Sequence, residues 1–221
     1  MDTAPRRQRN ARGQGARLTG DIVSGAVALI DRTGSDEAVT LRAVAREIGI
    51  AAPSIYAHFP DREAIVRAVV ARIFDELTVV IAAAIDRAGD DPVGRLIAGC
   101  EAYVEFGVDH PARYGVLFSV RPTVAQDDEP ASPVPPGHHG PPPGAVGTQA
   151  FALLVSAIEA CVAAGASASR DVAADATAVW VALHGTVSLR TSLSRRFPWP
   201  DQAGFVRGLV LTLAKITPAR G

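Results

Sequence analysis

Three side chains that can form hydrogen bonds with nucleic acid lie close together in the chain: Ser54, Tyr56 and His58. Hydroxyl and imidazole groups of this kind contact the phosphate backbone of DNA, and a serine can also reach a base edge. Ala52 and Ala57, which lie among them, are small enough to touch thymine methyl groups. These residue types therefore indicate nucleic-acid binding.

Two short helices joined by a tight turn are predicted over residues 41–60, LRAVAREIGIAAPSIYAHFP. One apolar face of the first helix is formed by residues at helical spacing: Leu41, Val44, Ala45 and Ile48. Gly49 enters a left-handed turn at low cost, and Pro53 fits the first turn of the second helix. Ile55 and Phe59 are four residues apart and face back onto the first helix. This is a helix-turn-helix pattern, whose second helix enters a DNA major groove.

The sequence over residues 40–66, TLRAVAREIGIAAPSIYAHFPDREAIV, resembles the DNA-binding signature of TetR-type transcriptional regulators. The resemblance extends from Leu18 to Val70, about a quarter of the chain. The run Ile-Tyr-x-His-Phe followed by Pro-Asp-Arg-Glu is highly specific to that family. The resemblance implies an all-helical homodimer, with a small N-terminal DNA-binding domain and a larger C-terminal domain that dimerises and binds a small ligand.

At matching positions, members of that family contact DNA. Carried onto this chain, the DNA-binding residues are Thr40, Leu41, Arg42, Ala52, Pro53, Ser54, Tyr56, Ala57, His58 and Arg62. The stretch between Ala51 and Phe59 has no Arg, Lys, Asn or Gln, so base reading is expected mainly from Arg42, with methyl contacts and DNA shape adding to it. Two alternatives remain open: a core position for Tyr56, and a capping or surface role for His58.

Composition limits the remaining possibilities. The chain has 221 residues, is 48 % hydrophobic and carries a net charge of −1, so it can bury a sizeable core and is not a basic coat protein. The first twenty residues nevertheless carry five arginines: Arg6, Arg7, Arg9, Arg12 and Arg17. We expect residues 1–17 to form a disordered basic arm, which either contacts DNA phosphates or the minor groove or is only solvated.

Neither a membrane span nor a signal peptide is indicated, which favours the cytoplasm. Cys100 and Cys161 lie far apart in the sequence and are expected to be buried as small apolar side chains. The His138-His139 pair lies among prolines and is expected to be solvated. We expect no metal site and no cofactor. The sequence shows no nucleophile–base pair, paired carboxylates or phosphate loop, which argues against an enzyme.

The whole chain is predicted to be all-α. Its first helix is expected from Leu18 to Asp31 with Thr19 as N-cap, and a long helix over 62–87 is expected to link a DNA-binding domain, 18–62, to a C-terminal domain, 63–221. Further helices are expected over 172–193 and from Asp201 to Ile216. Residues 121–147 are rich in proline and are predicted to form a mobile loop.

The C-terminal domain contains Trp180 followed one helical turn later by His184 and Gly185, a pattern that resembles a subgroup of TetR-type regulators named for Trp-His-Gly. Candidate ligand-binding residues are Tyr103, Phe106, Tyr114, Leu117, Phe118, Phe151, Trp180 and His184. A dimer interface is expected from the stripe Phe205, Leu209, Leu213 and Ile216. Each of these residues can equally belong to the core.

The functional prediction is a repressor that leaves a palindromic operator when an apolar small molecule binds. The alternative is a DNA-binding regulator without a small-molecule effector, which answers to a protein partner or acts constitutively. Two half-sites about 34–36 Å apart require two copies of the helix-turn-helix, which favours a homodimer.

Overall fold

The computed structural model of the chain describes residues 14–119, 147–193 and 197–217. Within these ranges the chain is helical apart from its connections, and the β-type pairing found there is an isolated bridge between Ser167 and Ile216. The all-α prediction is confirmed. The predicted arm up to residue 13, the predicted loop apart from Gly147, and the His138-His139 pair lie outside the described residues.

The helices of the described residues are α1 (Gln14–Thr33), α2 (Leu41–Glu47), α3 (Ala52–Tyr56), α4 (Arg62–Arg87), α5 (Pro92–Asp109), α6 (Pro111–Ser119), α7 (Thr148–Ala163), α8 (Val172–Ser192) and α9 (Gln202–Leu213). A short 3-10 turn, Asp36–Ala38, lies between α1 and α2. The chain divides into an N-terminal unit, Met1–Val69, and a C-terminal unit, Val70–Gly221. The division falls within α4, seven residues after the boundary predicted between 62 and 63.

The core of the N-terminal unit is built from one apolar face of each helix. Its fully buried side chains include Ile22, Ile30, Val44, Ile55 and Ile65. The C-cap residue of α2 lies close against α1 at Gly25, where an added Cβ would collide with Ile48 Cγ2. Glycine at this position therefore sets how closely the end of α2 packs on α1.

Helix ends follow the capping residues that the sequence predicts. The Ala43 N–H donates to Thr40 Oγ1 at 3.1 Å, and the Ala64 N–H donates to Asp61 Oδ1 at 2.7 Å. Gly49 adopts the left-handed conformation, with a φ of 71°, in the turn after α2. The predicted caps of α2 and α4 are confirmed.

The predicted start of α1 is wrong. The helix begins at Gln14, so Thr19 lies inside it and donates its hydroxyl hydrogen to the Gly15 carbonyl at 3.0 Å. A threonine inside a helix can bond back to a carbonyl four residues earlier, so its presence near a helix start does not identify an N-cap. Residues 14–17 are therefore helical and not part of a disordered arm.

Two predicted helices end early. Helix α3 stops at Tyr56, three residues before Phe59. Helix α9 stops at Leu213, because Ala214 caps it and Lys215 turns into the left-handed region with a φ of 53°. Ile216 therefore lies beyond the helix on which the predicted dimer stripe was placed.

Helix α5 is the centre of the C-terminal unit and packs against α6, α7, α8 and α9. Its Gly107 allows two neighbours to approach, since an added Cβ would lie 2.5 Å from Val187 Cγ1 and 2.8 Å from Tyr114 Cδ2. Cys100 and Cys161 are buried and free, as predicted. Burial raises the pKa of the Cys100 thiol to about 12, which makes it a poor nucleophile.

Helix α8 is long and apolar enough to cross a membrane by length and composition alone. It contains Asp175 and Arg190, and it packs against α5, α7 and α9 through buried side chains that include Val179, Leu183 and Val187. The buried face of α8 accounts for part of this apolar character, since 33 % of the apolar stretch is buried within the described chain.

Candidate functional site

The outward surface of α3 is formed by the polar residues that the sequence singled out. Ile55 is fully buried, while Pro53, Ser54 and Tyr56 are exposed. The Tyr56 side chain is 60 % exposed, which excludes a core role for it. The fold therefore presents the phenol of Tyr56 to solvent, where a phosphate oxygen can accept its hydrogen.

His58 lies just beyond α3 and is held by α1. Its Nδ1 atom is 3.1 Å from Thr19 Oγ1. The ring also lies close to Gly15, since a Cβ built on that glycine would stand 3.8 Å from His58 Cε1. Because the Thr19 hydroxyl donates to Gly15, its oxygen accepts from the imidazole when Nδ1 carries the hydrogen. That arrangement fixes the ring and leaves Nε2 as a hydrogen-bond acceptor in the neutral form.

The remaining candidate DNA residues fall into two groups. Arg42 is exposed on α2, two residues after the capping residue Thr40, so its guanidinium can extend towards a ligand. Arg62 is half-buried and donates to both the Asp36 carbonyl, at 2.6 Å, and Asp36 Oδ2, at 2.9 Å. Arg62 thus ties the start of α4 to the 3-10 turn, a role that the sequence pattern did not indicate.

A connected group of aromatic side chains lies in the C-terminal unit. We call Tyr103, Tyr114, Phe118, Trp180 and His184 the His184 cluster. Tyr114 Oη lies 2.8 Å from Tyr103 Oη and 2.8 Å from His184 Nδ1. The Phe118 ring stands 4.3 Å from the His184 ring, centroid to centroid, and the Trp180 ring 6.2 Å. Five of the eight predicted ligand residues are therefore brought together.

The other three predicted ligand residues are placed differently. Phe151 joins the edge of the cluster through Trp180, at a centroid distance of 6.3 Å. Leu117 and Phe106 are buried core residues. An open surface groove of about 490 Å³ lies elsewhere in this unit, lined by Arg72, Asp75, Glu76, Val79, Val80, Phe106, His110 and Arg113. Phe106 alone of the eight predicted residues lines it.

Burial sets the protonation of the cluster. Desolvation lowers the pKa of His184, so its imidazole is neutral near pH 7. Desolvation also raises the pKa values of Tyr103 and Tyr114, which keeps both phenols protonated. The cluster is therefore an uncharged hydrogen-bonding group at the meeting of α5, α6 and α8.

The predicted dimer stripe is half-buried. Phe205, Leu209 and Leu213 are partly accessible, whereas Val206 and Val210 form the fully buried face of α9. Helix α8 leaves Val181 and Leu189 exposed, with Gly185 between them. No heavy atom of the described chain lies within 4 Å of a Cβ built on Gly185, so no neighbouring helix of this chain explains that glycine.

Family models match both halves of the chain. Residues 22–69 match the model described as bacterial regulatory proteins, tetR family, and residues 96–212 match the tetracyclin repressor-like C-terminal domain. The chain belongs to the TetR family. Proteins of this family are DNA-binding transcription factors and not enzymes. The residues of the N-terminal match include α2 and α3 with their exposed polar face.

A curated relative of this TetR-family chain is the uncharacterized HTH-type transcriptional regulator Rv0681 of Mycobacterium tuberculosis. The two are 37 % identical over 109 residues, which cover 49 % of this chain and 48 % of the relative. The chain thus spans about half the length of the curated relative that it matches.

Solved structures show the same fold over nearly the whole of this TetR-family chain. A protein of unknown function from Rhodococcus sp. RHA1 matches with a TM-score of 0.67 at 21 % identity, covering 93 % of this chain and 95 % of that chain. The TetR family transcriptional regulator PfmR from Thermus thermophilus matches with a TM-score of 0.57 at 19 % identity, covering 88 % and 96 %. At these identities the likeness concerns the fold.

Several residues of the two sites in this TetR-family protein were not found by sequence reasoning. Thr19 and Asp36 hold His58 and Arg62 through contacts that span 39 and 26 residues of sequence. Ser188, whose Oγ lies 3.4 Å from His184 Nε2, is one turn after the histidine on α8. The spacing of Ser188 is visible in the sequence, but the long-range contacts of Thr19 and Asp36 leave no local pattern.

Proposed function

We propose that this protein is a transcriptional repressor that binds a palindromic operator as a homodimer and leaves it when an uncharged small molecule binds the C-terminal unit. The observation that carries the proposal is the exposed face of α3, with Tyr56 accessible and His58 fixed by Thr19. Accessible hydrogen-bonding side chains held on a buried apolar core are suited to contact with DNA phosphates.

The proposed DNA-binding residues are those predicted from the sequence: Thr40, Leu41, Arg42, Ala52, Pro53, Ser54, Tyr56, Ala57, His58 and Arg62. Residues 18–62 would form the DNA-binding domain, and residues 63–221 would bind the effector and dimerise. Of the two arginines, Arg42 is the better base reader, because the guanidinium of Arg62 already bonds Asp36.

Dimerisation is supported by the apolar surface of α8 and α9. Val181 and Leu189 would be costly to leave in water, and the open space at Gly185 allows another helix to approach closely. We propose that a second copy of the chain packs there, against Phe205, Leu209 and Leu213. The result would be two helix-turn-helix motifs on one molecule, as a palindrome requires.

Effector response is supported by the position of α6. Tyr114 on this helix bonds His184, and the adjacent Arg113 donates to Glu76 Oε2 on α4 at 3.0 Å. A ligand at the His184 cluster would therefore contact α6, the helix that is also hydrogen-bonded to α4. Such a ligand changes DNA affinity only if it binds the DNA-binding conformation and the released conformation of the protein with different affinities. We further propose that the protein acts in the cytoplasm.

The first experiment is binding of the purified protein to DNA from its own upstream region, with the size of the complex and a salt titration. We expect a dimer to protect one palindrome, and its affinity to fall steeply with salt as phosphate contacts release counterions. Selection from random DNA would locate an operator elsewhere. Failure of both to yield a sequence bound more tightly than random DNA would reject the proposal.

A further inference from the structure

The rings at the edge of the His184 cluster are more exposed than their size leads one to expect. Phe118 and Trp180 are each 38 % exposed, although they lie against a buried hydrogen-bonded centre. Phe74 of α4 stands against Phe118 at a centroid distance of 6.3 Å, and Phe151 of α7 stands against Trp180 at the same distance. Phe74, Phe118, Phe151 and Trp180 thus come from four different helices, and Phe118 and Trp180 lie next to the imidazole.

The available donors and acceptors determine which atom donates in each hydrogen bond between Tyr103, Tyr114 and His184. A buried hydroxyl donates its hydrogen where an acceptor lies within reach. The buried Tyr103 hydroxyl then has Tyr114 Oη, at 2.8 Å, as its acceptor among the described residues. Tyr114 in turn donates to His184 Nδ1 at 2.8 Å. The opposite direction would leave the hydrogen of the buried Tyr103 hydroxyl without an acceptor among the described residues, which is unfavourable.

It follows that Nδ1 of His184 is an acceptor and that the hydrogen of the neutral ring is on Nε2. The nearest partner of that Nε2–H among the described residues is Ser188 Oγ at 3.4 Å, a distance well beyond the usual range for such a bond. His184 is itself only half-buried. The Nε2–H of His184 therefore has only a weak hydrogen-bond partner and lies among partly exposed aromatic rings.

Uncharged side chains hold this centre together. Among the described residues, the hydrogen bonds of Tyr114 and His184 go to Tyr103, to each other and to Ser188. A carboxylate placed here would gain the single His184 N–H, and an ammonium group would gain only the faces of the rings, so each would be compensated only in part for its lost hydration. The site consequently favours uncharged ligands over ions.

We propose that the effector is an uncharged, flat, apolar molecule with one hydrogen-bond acceptor, which receives the His184 Nε2–H while its body lies against Phe118 and Trp180. This inference rests on the proposed function, since it names the chemistry of the molecule that the regulator senses. It argues against carboxylate ligands and lipophilic cations, which bind most tightly where a group of opposite charge or a closed aromatic cage is present.

The test uses four naphthalene probes of nearly equal shape, measured by equilibrium dialysis with the full-length protein. The probes are 2-acetylnaphthalene, which has an acceptor; 2-isopropenylnaphthalene, which lacks it; 2-naphthoate, an anion; and naphthalene-2-carboxamidine, a cation. We expect the acetyl compound to bind about fivefold more tightly than the isopropenyl compound, the worth of about 1 kcal/mol for one net hydrogen bond. We expect both ions to bind more weakly than either neutral probe.

Two variants locate the contact. His184→Phe retains a flat ring but has no N–H, so the acetyl and isopropenyl compounds should bind it equally. Ser188→Ala removes only the long contact to Nε2, so the preference for the acetyl compound should be kept or increased. The comparison of probes on the unaltered protein requires no variant, so a folding defect in His184→Phe would not prevent a decision.

Equal binding of the two neutral probes by the unaltered protein, tighter binding of either ion, or no binding of any probe would overturn the inference. DNA binding is measured on the same preparation, so the two proposals can fail separately. If the protein binds DNA specifically but shows no preference among the probes, the proposed effector class is rejected and the proposed regulator stands. If the probes show the expected preference but no specific DNA binding is found, the binding site stands and its regulatory role is rejected.

Discussion

Tyr56 and His58 are two residues apart, yet the fold holds them in different ways. Tyr56 is exposed, and the described residues include no hydrogen-bond partner for its hydroxyl. His58 is half-buried and bonds Thr19. Substitution of Tyr56 therefore tests DNA contact, whereas substitution of His58 also disturbs the packing of α1. The Tyr56 hydroxyl is the cleaner probe of backbone contact.

Tyr56→Phe should weaken binding to the operator and to random DNA by the same factor, about two- to tenfold, because one neutral hydrogen bond to a phosphate is lost. Fluorescence anisotropy with both DNAs would measure the two affinities. The phenyl ring keeps the surrounding surface unchanged, so the thermal unfolding midpoint should not move. A loss confined to the operator would show that Tyr56 reads sequence.

Arg42→Ala should reduce operator affinity more than random-DNA affinity, by about tenfold or more, since a guanidinium on a guanine edge discriminates between bases. Arg46→Ala is the matched control, because it removes the same charge from an exposed position on the same helix. It should weaken both DNAs alike. Equal losses on the two DNAs for Arg42→Ala would refute base reading by Arg42.

His184→Asn should alter the pH dependence of stability. Burial lowers the pKa of His184 in the folded state, so the unfolded chain binds more protons between that lowered pKa and the ordinary value of about 6.5. Stability of the unaltered protein should therefore decline as pH falls from 6.5 through this window. Asparagine keeps an acceptor for Tyr114 but does not titrate. Urea unfolding at several pH values should show the smaller decline in the variant.

At the scale of elements, α1 matters more than its sequence pattern indicated. Its N-terminal turns position His58, and its middle packs on the end of α2 through Gly25. Both contacts are made by residues without a long apolar side chain. A pattern search for apolar stripes therefore passes over them, although they decide how the helix-turn-helix is held.

Gly25→Ala should destabilise the N-terminal unit by about 1–2 kcal/mol, because overpacking against Ile48 exceeds the gain in helix propensity. Gly20→Ala in the same helix meets nothing within 4 Å and should stabilise it by up to about 1 kcal/mol. Amide hydrogen exchange of α1 would report both changes. Opposite signs for the two variants are the expected result, and stabilisation by both would contradict a close approach at Gly25.

At the scale of the whole molecule, the proposed function depends on two copies of the chain. Helices α8 and α9 contribute partly exposed apolar residues, among them Val181, Leu189 and Phe205. Gly185 on α8 lowers helix stability, and among the described residues no contact requires a glycine there. A partner helix at this position would explain both observations.

Gly185→Leu should therefore leave the protomer folded and weaken the dimer, because the added side chain fills the space in which the second copy would lie. Sedimentation velocity would show a monomer at concentrations where the unaltered protein is dimeric. Gly115→Leu is the matched control: Gly115 lies on α6 with open space around it and is exposed. The same dimer strength in both variants would place the interface elsewhere.

The sequence by itself determined the all-α fold, the helix-turn-helix and the caps at Thr40 and Asp61. These features depend on spacing and on side chains that act within a few residues, so they are visible along the chain. The sequence left a core position for Tyr56 open, and the structure decided against it, because that side chain is 60 % exposed. Family resemblance added the expected architecture of the C-terminal half.

The tertiary structure alone decided the partners of His58, Arg62 and His184, and it corrected the role of Thr19. Each of these contacts joins residues from different helices, 26 to 70 positions apart. A hydrogen bond at that separation depends on how helices cross, which is set by close approaches such as that at Gly107. Local sequence fixes which groups a helix offers, while packing between helices fixes which of them meet.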